Sequence, residues 1–309
     1  PSPLSSETGS YSGIPSNSSY KIVGIQPLKD KKNKNVKLSI ITINYNNLEG
    51  LRRTVASVAA QTCMNFEYIV IDGGSTDGSR EYIKTAPRID SWVSEPDKGI
   101  YNAMNKGAKM AQGEYCLFLN SGDTLYDKNV LCKVIPVLNG GDFYAGHPIL
   151  VKGRKSYKEY LPQKMSIDFL LLGSINHQST FTRTAILKKR PYNENHKIVS
   201  DWEKFFTEWL LYDRSYIPMD LTIAKFRLDG ISSNDISLLL KEKQEVIDNL
   251  IPSYIQKGLR MEKDLSPLER KIKKALSKPP LQRDVKLIRN ALKYLLRDLF
   301  LTIVGRKKD

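Results

Sequence analysis

The chain has 309 residues, a formal net charge of +15 and a hydrophobic content of 40%. This length suits one large domain or a domain with an appendage. Three cysteines without a CxxC pair argue for a reducing compartment and against a disulfide scaffold or a structural zinc site. No apolar run approaches the roughly 18 residues of a membrane span, and the N-terminus lacks a signal-peptide pattern, so we expect a cytoplasmic protein.

The basic charge leaves two interpretations open. It reflects either a solvated surface or a polyanionic partner, such as nucleotide phosphates, anionic lipid or nucleic acid. A nucleic-acid-binding module would interleave basic and aromatic residues on one face, whereas here the basic residues concentrate in the C-terminal region.

The N-terminal residues are predicted to form a flexible tail. Residues 1–20 are rich in Ser, Pro and Gly, and residues 29–37 read KDKKNKNVK. Segments of this composition bury too little apolar surface to fold alone. We therefore place the tail over residues 1–36 and begin the folded domain at residue 37.

Strands and helices alternate from residue 38. The β-branched run LSIITINY (38–45) predicts a strand buried on both faces, and NNLEGLRRTVASVAAQT follows it with helical spacing. The next predicted elements are a strand in FEYIVID, a helix in SREYIKTA with Asp77 as its N-cap, a short strand in DSWVS, a helix in IYNAMNKGAKMAQG that ends at Gly113, and a strand in EYCLFLN. This alternation predicts an α/β fold with a mostly parallel central sheet flanked by helices.

The pattern loosens from about residue 142. The run DFYAGHPILV predicts a strand, and SIDFLLLGSINHQSTFTRTAIL predicts a short helix, a loop and a strand. Residues 200–212 predict a helix with Ser200 or Asp201 near its start, and SYIPMDLTIAKFRLDGIS supplies strands to about residue 232. We therefore end the folded domain, 37–235, before residue 236.

The C-terminal region, 236–309, is predicted to be a basic, amphipathic helical extension. Between residues 265 and 309, 13 Lys or Arg stand against 4 Asp or Glu, a net charge of +9. An apolar stripe at helical spacing runs through Leu281, Val285, Ile288, Leu292, Leu295 and Leu299. The stripe would pack on the folded domain or on a second copy in a homodimer, or it would lie in a membrane interface with the basic residues toward anionic lipid.

Short polar residues follow three of the predicted strands. Asn44, Tyr45 and Asn46 follow the first strand, the DGGS run of 72–75 follows the second, and the NSGD run of 120–123 follows the fourth. Each group alone would be ordinary turn chemistry. Because the ligands of parallel α/β sheets lie beyond the carboxyl ends of the strands, we expect the three groups to form one ligand crevice.

The residue types limit the classes of ligand that the crevice could bind. The GxGxxG and GxxxxGK[ST] phosphate motifs are absent from the sequence. Asp72, at the head of its loop, suits hydrogen bonding to a ribose or a base and does not suit a direct contact with pyrophosphate. A carboxylate at Asp123 beside phosphates requires a cation between them.

Four blocks carry a resemblance to a known family. They read SIITINYNN, LRRTVASVAAQT, EYIVIDGGSTDGS and EPDKGIYNAMNKGAKMAQGEYCLFLNSGD. Over about residues 38–235 the chain resembles glycosyltransferase family 2, an inverting family with the nucleotide-sugar-binding GT-A fold. The segments EPDKGIYNAMNKG, NHQSTF and SDW are similar to those of bacterial enzymes that assemble surface polysaccharides.

The resemblance implies a nucleotide site. Asn44 would lie in the nucleotide-binding turn after the first strand, and Asp72 would contact the uridine part. Asp97 and Lys98 would lie in the loop that closes over the nucleotide, and Asn105 would match a polar residue of the helix behind that loop.

The resemblance also implies a metal site at Asp123, the match to the last acid of the metal-binding motif. Two positions depart from the family pattern, since Gly73 and Asn120 stand where the family usually has acids. A hard cation such as Mg²⁺, or Mn²⁺, needs few protein ligands when phosphates and waters complete its shell, so Asp123 suffices in principle. The cation would stabilise the departing pyrophosphate as a Lewis acid.

By the same resemblance, Asp201 matches the general base. A carboxylate that takes the proton of an acceptor hydroxyl contributes roughly 10²–10⁴-fold. Asp201 could instead cap its helix, and Glu203 is the fallback base. His177 and Gln178 would form a hydrogen-bonded loop, or they would contact the acceptor or the diphosphate, with His177 as a further metal ligand. Trp202 would either pack in the core or stack on a sugar.

The leading hypothesis is an inverting glycosyltransferase that moves a sugar from a nucleotide diphosphate sugar to a saccharide or lipid-linked saccharide acceptor in surface polysaccharide assembly. The donor is expected to be UDP-linked and the enzyme to be metal-dependent. If the C-terminal helix lies in the membrane interface rather than packing on protein, the enzyme would be a peripheral protein of the inner face of the cell membrane. The alternatives are a catalytically inactive nucleotide-sugar-binding homologue and a basic nucleic-acid-binding module.

Overall fold

Two units make up the chain in the computed structural model, residues 1–246 and 247–309. The structure describes residues 22–25, 36–228, 235–253 and 256. The predicted leucine stripe of the C-terminal extension lies outside these residues. The sheet and the candidate site both belong to the first unit.

The described residues contain ten strands, which join in a mixed sheet. The strands are β1 (Ile22–Ile25), β2 (Leu38–Asn44), β3 (Phe66–Asp72), β4 (Ser91–Ser94), β5 (Tyr115–Phe118), β6 (Thr124–Leu125), β7 (Phe143–Lys152), β8 (Lys155–Lys158), β9 (Thr180–Arg183) and β10 (Tyr216–Arg227). Their order across the sheet is β1-β4-β3-β2-β5-β9-β7-β10-β6, and β8 pairs with β7. Within the predicted N-terminal tail, residues Ile22–Ile25 form β1, which pairs with β4.

Helices flank the sheet. They are α1 (Leu48–Ala59), α2 (Ser79–Thr85), α3 (Ile100–Met110), α4 (Val130–Val134), α5 (Ile167–Leu172), α6 (Thr184–Lys189), α7 (Ser200–Tyr212) and α8 (Ile236–Leu250). Short 3-10 turns occupy Ile135–Val137 and His177–Ser179. In the part of the chain that the structure describes, no helix has both the length and the apolar character needed to cross a membrane.

The predicted parallel arrangement holds for the half of the sheet that carries the polar strand ends. Strands β4, β3, β2 and β5 are mutually parallel, and so are β7 and β10. The remaining pairs are antiparallel. The α/β fold is confirmed, and its parallel part brings the carboxyl ends of β2, β3 and β5 to one edge.

The central strand β2 is buried on both faces, as its continuous apolar run predicted. Leu38 and Ile40 pack in one core with residues of α1, whereas Ile41 and Ile43 pack in the other core with residues of α3. The approach of α3 is close, because a Cβ on Gly107 would lie 2.4 Å from Cγ2 of Ile41. A glycine that costs about 1 kcal/mol in helix propensity is therefore required here by packing.

The start of α2 differs from the prediction. Gly78, with φ of 90°, occupies the N-cap position that the sequence assigned to Asp77. The Asp77 carboxylate instead accepts hydrogen bonds from the backbone N–H of Ser79 at 3.1 Å and of Leu48 at 2.8 Å. It thus holds the first turns of α1 and α2 together, a long-range contact that local sequence does not encode.

The end of α3 also differs. The helix ends at Met110, with Ala111 as its C-cap, rather than at Gly113. A Cβ on Gly113 would lie 2.5 Å from the backbone nitrogen of Ser39. This glycine therefore allows the chain to pass close to β2, and it is not the helix cap that the sequence predicted.

Candidate active site

A crevice of about 1030 Å³ opens where β2, β3 and β5 end. This volume lies at the upper limit of the roughly 300–1,000 Å³ of small-molecule sites, so it offers room for more than one substrate. The strand ends form one part of the wall, and the loop after β4 with the start of α3, the loop before β9, the end of β10 and the helices α7 and α8 contribute other parts. The lining residues include Tyr45, Gly73, Asp97, Asn120, Asp123, Asn176, His177, Gln178, Asp201, Trp202, Leu239 and Lys243.

Asp72 and Asn44 lie behind this wall and are not among the lining residues. Asp72 is 0% exposed, and its carboxylate accepts four hydrogen bonds: from Asn44 Nδ2 at 2.8 Å, Ser75 Oγ at 2.5 Å, Ser75 N at 3.0 Å and Ser94 Oγ at 2.7 Å. Asn44 Oδ1 accepts a further bond from Ser121 Oγ at 2.7 Å. These five residues, the strand-end cluster, fix the ends of β2, β3, β4 and β5 relative to one another.

Asp97 and Lys98 belong to the loop between β4 and α3. Asp97 lines the crevice, and its Oδ1 accepts a hydrogen bond from the backbone N–H of Gly99 at 3.0 Å. Burial raises the pKa of Asp97 above its ordinary value, although the bond from Gly99 opposes the shift. Lys98 is exposed, and its backbone N–H donates to Asn102 Oδ1 at 3.3 Å.

Asn105, predicted as a nucleotide ligand, has its amide engaged elsewhere. Its Nδ2 donates to the carbonyl of Tyr192 at 2.9 Å and to Glu194 Oε1 at 2.9 Å, and its Oδ1 accepts from Tyr192 N at 2.8 Å. The side chain does not line the crevice. Because its two donors and its acceptor are all used, Asn105 ties α3 to the segment before α7.

Asp123 and Asn120 occupy the loop after β5. Asp123 is 4% exposed, and its Oδ1 accepts a hydrogen bond from the backbone N–H of Arg227 at 3.3 Å. Thr54 of α1 holds the loop, since its hydroxyl donates to the carbonyl of Asp123 at 2.7 Å and accepts from Gly122 N at 3.0 Å. The loop is therefore fixed from both sides, and both side chains line the crevice.

The donor set of this loop fits a hard cation. Asn120 Oδ1 is buried and has no hydrogen-bond partner among the described residues. An orphaned amide oxygen beside a carboxylate supplies two oxygen ligands, the kind that Mg²⁺ and Mn²⁺ accept. No group of three or more His, Cys, Asp or Glu in the described ranges could hold a metal on its own. The remaining ligands would have to come from phosphates and water.

A second polar cluster, the acid–histidine cluster of Tyr101, His177 and Asp201, lies in the same crevice. Asp201 Oδ2 lies 2.7 Å from His177 Nδ1, and Asp201 Oδ1 accepts from the hydroxyl of Tyr101 at 3.0 Å and from Trp202 N at 2.9 Å. His177 Nε2 in turn lies 3.2 Å from Asn120 Nδ2. The proposed base and the metal loop are therefore joined through one histidine.

The surroundings of Asp201 set its protonation. Burial acts to raise the pKa of its carboxyl, but the hydrogen bond and charge of His177 and the bonds from Trp202 and Tyr101 outweigh burial. The pKa of Asp201 therefore lies below its ordinary value. Asp201 thus keeps its charge near neutral pH, as a proton acceptor requires.

The fallback base, Glu203, points to other partners. Its Oε2 lies 2.7 Å from His196 Nδ1, and its Oε1 accepts from Asn193 Nδ2 at 3.2 Å. Glu203 is not among the residues that line the crevice. The geometry therefore favours Asp201 of the two acids at the start of α7.

Gln178 and Trp202 are both buried in the crevice wall. The indole Nε1 of Trp202 donates to the carbonyl of Leu170 at 2.8 Å, and its ring stacks on Phe206 with centroids 5.0 Å apart. Trp202 thus packs as a core residue with one edge in the crevice.

Helix α8 contributes residues that the sequence did not indicate. The buried carboxylate of Glu242 accepts hydrogen bonds from three backbone N–H groups just before α7, those of Lys197 at 2.8 Å, Ile198 at 2.9 Å and Val199 at 3.2 Å. Lys243 lines the crevice, and its ammonium donates to the carbonyl of Gly173 at 2.9 Å. The only signal in the sequence was the amphipathic pattern of the helix, which does not say what the helix packs against.

Sequence comparison relates the chain to known glycosyltransferases. The profile of the family described as "Glycosyl transferase family 2" matches residues 39–201. An uncharacterized glycosyltransferase of Mycobacterium tuberculosis is 44% identical over 105 residues, which are 33% of this chain and 40% of that protein. A PGL/p-HBAD biosynthesis glycosyltransferase of Mycobacterium bovis is 30% identical over 210 residues, 64% of this chain and 79% of that protein.

Solved structures agree on the fold. The S. aureus TarS 1-349 structure in complex with UDP-GlcNAc has a TM-score of 0.56 and 20% sequence identity, and it covers 83% of this chain and 79% of TarS 1-349. The complex of the same protein with UDP has a TM-score of 0.52 at 19% identity, with 77% and 78% covered. The predicted GT-A architecture is therefore confirmed.

Proposed function

The chain belongs to glycosyl transferase family 2, and we propose that it moves a sugar from a UDP-linked donor to a saccharide or lipid-linked saccharide acceptor, with inversion, in surface polysaccharide assembly. One observation carries the proposal: a single crevice joins strand ends suited to a nucleotide with the carboxylate of Asp201. Two comparisons support it. The TarS structures contain UDP or UDP-GlcNAc, and the M. bovis relative is named for a biosynthetic reaction.

In this reaction the acceptor oxygen attacks the anomeric carbon from the side opposite the diphosphate. The bond between the anomeric carbon and the diphosphate oxygen breaks, and the acceptor proton passes to Asp201. Oδ1 of Asp201 already accepts two hydrogen bonds, whereas Oδ2 accepts one, from His177. Oδ2 therefore keeps a lone pair for the incoming proton.

His177 and Tyr101 orient the base. The single hydroxyl proton of Tyr101 is shared between Asp201 Oδ1 at 3.0 Å and the carbonyl of Ile198 at 2.6 Å, so the hydroxyl bridges the chain before α7 and the side chain of Asp201. A carboxylate held from two sides loses little freedom when the acceptor binds, which places the acceptor oxygen near its attack geometry.

A divalent metal, Mn²⁺ or Mg²⁺, would be held by Asp123 with Asn120 Oδ1 as a neutral ligand. When bound it would offset the negative charge of the diphosphate as a Lewis acid. With one carboxylate, metal binding should be weak without nucleotide and strong with it, because the phosphates supply further oxygen ligands.

The function is tested by UDP release from a panel of UDP-sugars with Mg²⁺ or Mn²⁺, with and without saccharide acceptors. Asp201→Asn should lower turnover by about 10²–10⁴-fold and leave UDP affinity unchanged. Glu203→Gln, the matched control on the same helix, should retain turnover. Absence of turnover in the wild type with every donor would support the inactive homologue instead, and loss of turnover in the control alone would exchange the roles of the two acids.

The metal assignment is tested by UDP titration with and without Mn²⁺. Asp123→Ala should remove the gain in UDP affinity that Mn²⁺ provides, a loss of about tenfold or more. Asn120→Asp adds the missing charge and should strengthen Mn²⁺ binding to the nucleotide-free protein. Unchanged metal dependence in Asp123→Ala would refute the assignment.

A further inference from the structure

The loop after β4 carries a carboxylate over the end of β3. Oδ2 of Asp97 lies 2.6 Å from the position that a Cβ on Gly73 would occupy, and Cδ2 of Tyr45 lies 3.1 Å from the same position. Gly73 is not among the residues with positive φ, so its backbone conformation does not demand glycine. A side chain at position 73 would therefore compete with the carboxylate of Asp97 for the same space.

One oxygen of that carboxylate is available to a ligand. Oδ1 accepts the hydrogen bond from Gly99, whereas Oδ2 has no hydrogen-bond partner among the residues that the structure describes. Asp97 and Gly73 both line the crevice. Because this oxygen faces the open crevice, an N–H or O–H group of a ligand could donate a hydrogen bond to it.

The neighbouring acid is unable to serve the same ligand. The carboxylate of Asp72 is fully buried and accepts four hydrogen bonds within the strand-end cluster. At the ends of β3 and β4, the carboxylate that faces the crevice is therefore that of Asp97.

We propose that Asp97 recognises the nucleobase, with Oδ2 accepting a hydrogen bond from a ring N–H in the space above Gly73. The acid that the family usually carries at position 73 is thus supplied from the loop after β4. This inference rests on the proposed nucleotide-sugar function, and it transfers base recognition from Asp72 to Asp97. Because a carboxylate only accepts hydrogen bonds, it favours uracil, whose ring nitrogen carries a proton, over cytosine, whose corresponding nitrogen is an acceptor.

The test moves the carboxylate from one loop to the other. Calorimetric titration with UDP and with CDP, both with Mg²⁺, would compare the wild type with Asp97→Gly, Asp97→Asn and the double variant Gly73→Asp/Asp97→Gly. Asp97→Gly should bind UDP about 10- to 100-fold more weakly and change little toward CDP. The double variant should regain at least about tenfold of the lost UDP affinity, because its acid enters the same space from position 73.

Glu81→Gln, which removes an exposed carboxylate from α2, is the matched control and should bind UDP like the wild type. Thermal unfolding would confirm that every variant is folded. If Asp97→Gly is not folded, Asp97→Asn takes its place, because it preserves the size of the side chain.

The outcomes separate the two proposals. A wild type that binds no uridine nucleotide would overturn the nucleotide-sugar function. A wild type that binds UDP, with an unchanged preference for UDP over CDP in Asp97→Gly and Asp97→Asn, would overturn base recognition alone. Equal losses for UDP and CDP would place the contact on the ribose or phosphates and would also overturn it.

Discussion

Two carboxylates, Asp72 behind the wall of the crevice and Asp201 in that wall, are held in different ways. In the strand-end cluster, Asp72 is held by an amide, two hydroxyls and a backbone N–H, none of which carries a charge. In the acid–histidine cluster, Asp201 is held by a histidine, a tyrosine and a backbone N–H. Neutral donors and an ionisable partner both stabilise the charged carboxylate, but only the ionisable partner can itself change its charge with pH. The first arrangement suits a scaffold and the second suits acid–base chemistry.

The largest effect on stability is expected at Asp72, the acid to which this comparison assigns a purely structural role. Asp72→Asn replaces one accepting oxygen by an amide donor that faces hydrogen-bond donors, so about 2–4 kcal/mol of unfolding free energy should be lost. Urea unfolding measures this change, with Glu81→Gln as a control that should stay within about 0.5 kcal/mol of the wild type. Wild-type stability in Asp72→Asn would remove the distinction between the two clusters.

A smaller effect, on pH dependence, is expected at the other cluster. Without His177, burial is the dominant influence on Asp201, so His177→Asn should raise the pKa of Asp201. The acidic limb of the turnover–pH profile should therefore move to higher pH. A carboxyl whose pKa is lowered by folding adds stability above its ordinary pKa, and this stability is lost as pH falls through the lower, folded value. Because His177→Asn reduces the lowering, the variant should also lose part of this stability.

The matched control for that experiment is His196→Asn, which removes a histidine from Glu203 outside the crevice wall. It should leave the acidic limb in place. An identical shift in both variants would show that the limb reports general stability rather than the protonation of Asp201.

Sequence patterns predicted the strand ends well because they are local. The run LSIITIN is buried over its whole length, and Asn44 and Asp72 end the strands that their runs predicted. Tyr101 and Asp201, in contrast, are 100 residues apart, and Glu242 reaches the chain before α7 across 43 to 45 residues. Such contacts depend on how elements pack, which periodicity and capping signals do not contain. The same reason explains Asp77 and Gly113, whose residue types fitted a local role that packing replaced.

The smallest effect is expected at Lys243 of α8, whose ammonium lines the crevice and donates to the carbonyl of Gly173. Burial lowers its pKa from 10.5 to about 8, while the charge of Asp201 opposes the shift. Lys243→Met keeps the apolar stem of the side chain and removes the cost of a desolvated charge. It also loses the hydrogen bond to the carbonyl of Gly173 and the contact with the Trp202 ring, whose centroid lies 4.7 Å from Nζ. These contributions oppose each other, so unfolding free energy at neutral pH should change by about 1 kcal/mol or less.

The pH dependence of that variant is the sharper measurement. A lysine whose pKa is lowered by folding carries its charge at a cost below pH of about 8, and the cost disappears as pH rises from there toward 10.5. Wild-type stability should therefore rise relative to Lys243→Met between about pH 8 and 10.5, whereas Lys241→Met, at an exposed site on the same helix, should show no such change. If both variants behave alike, α8 does not hold this ammonium in a desolvated wall of the crevice.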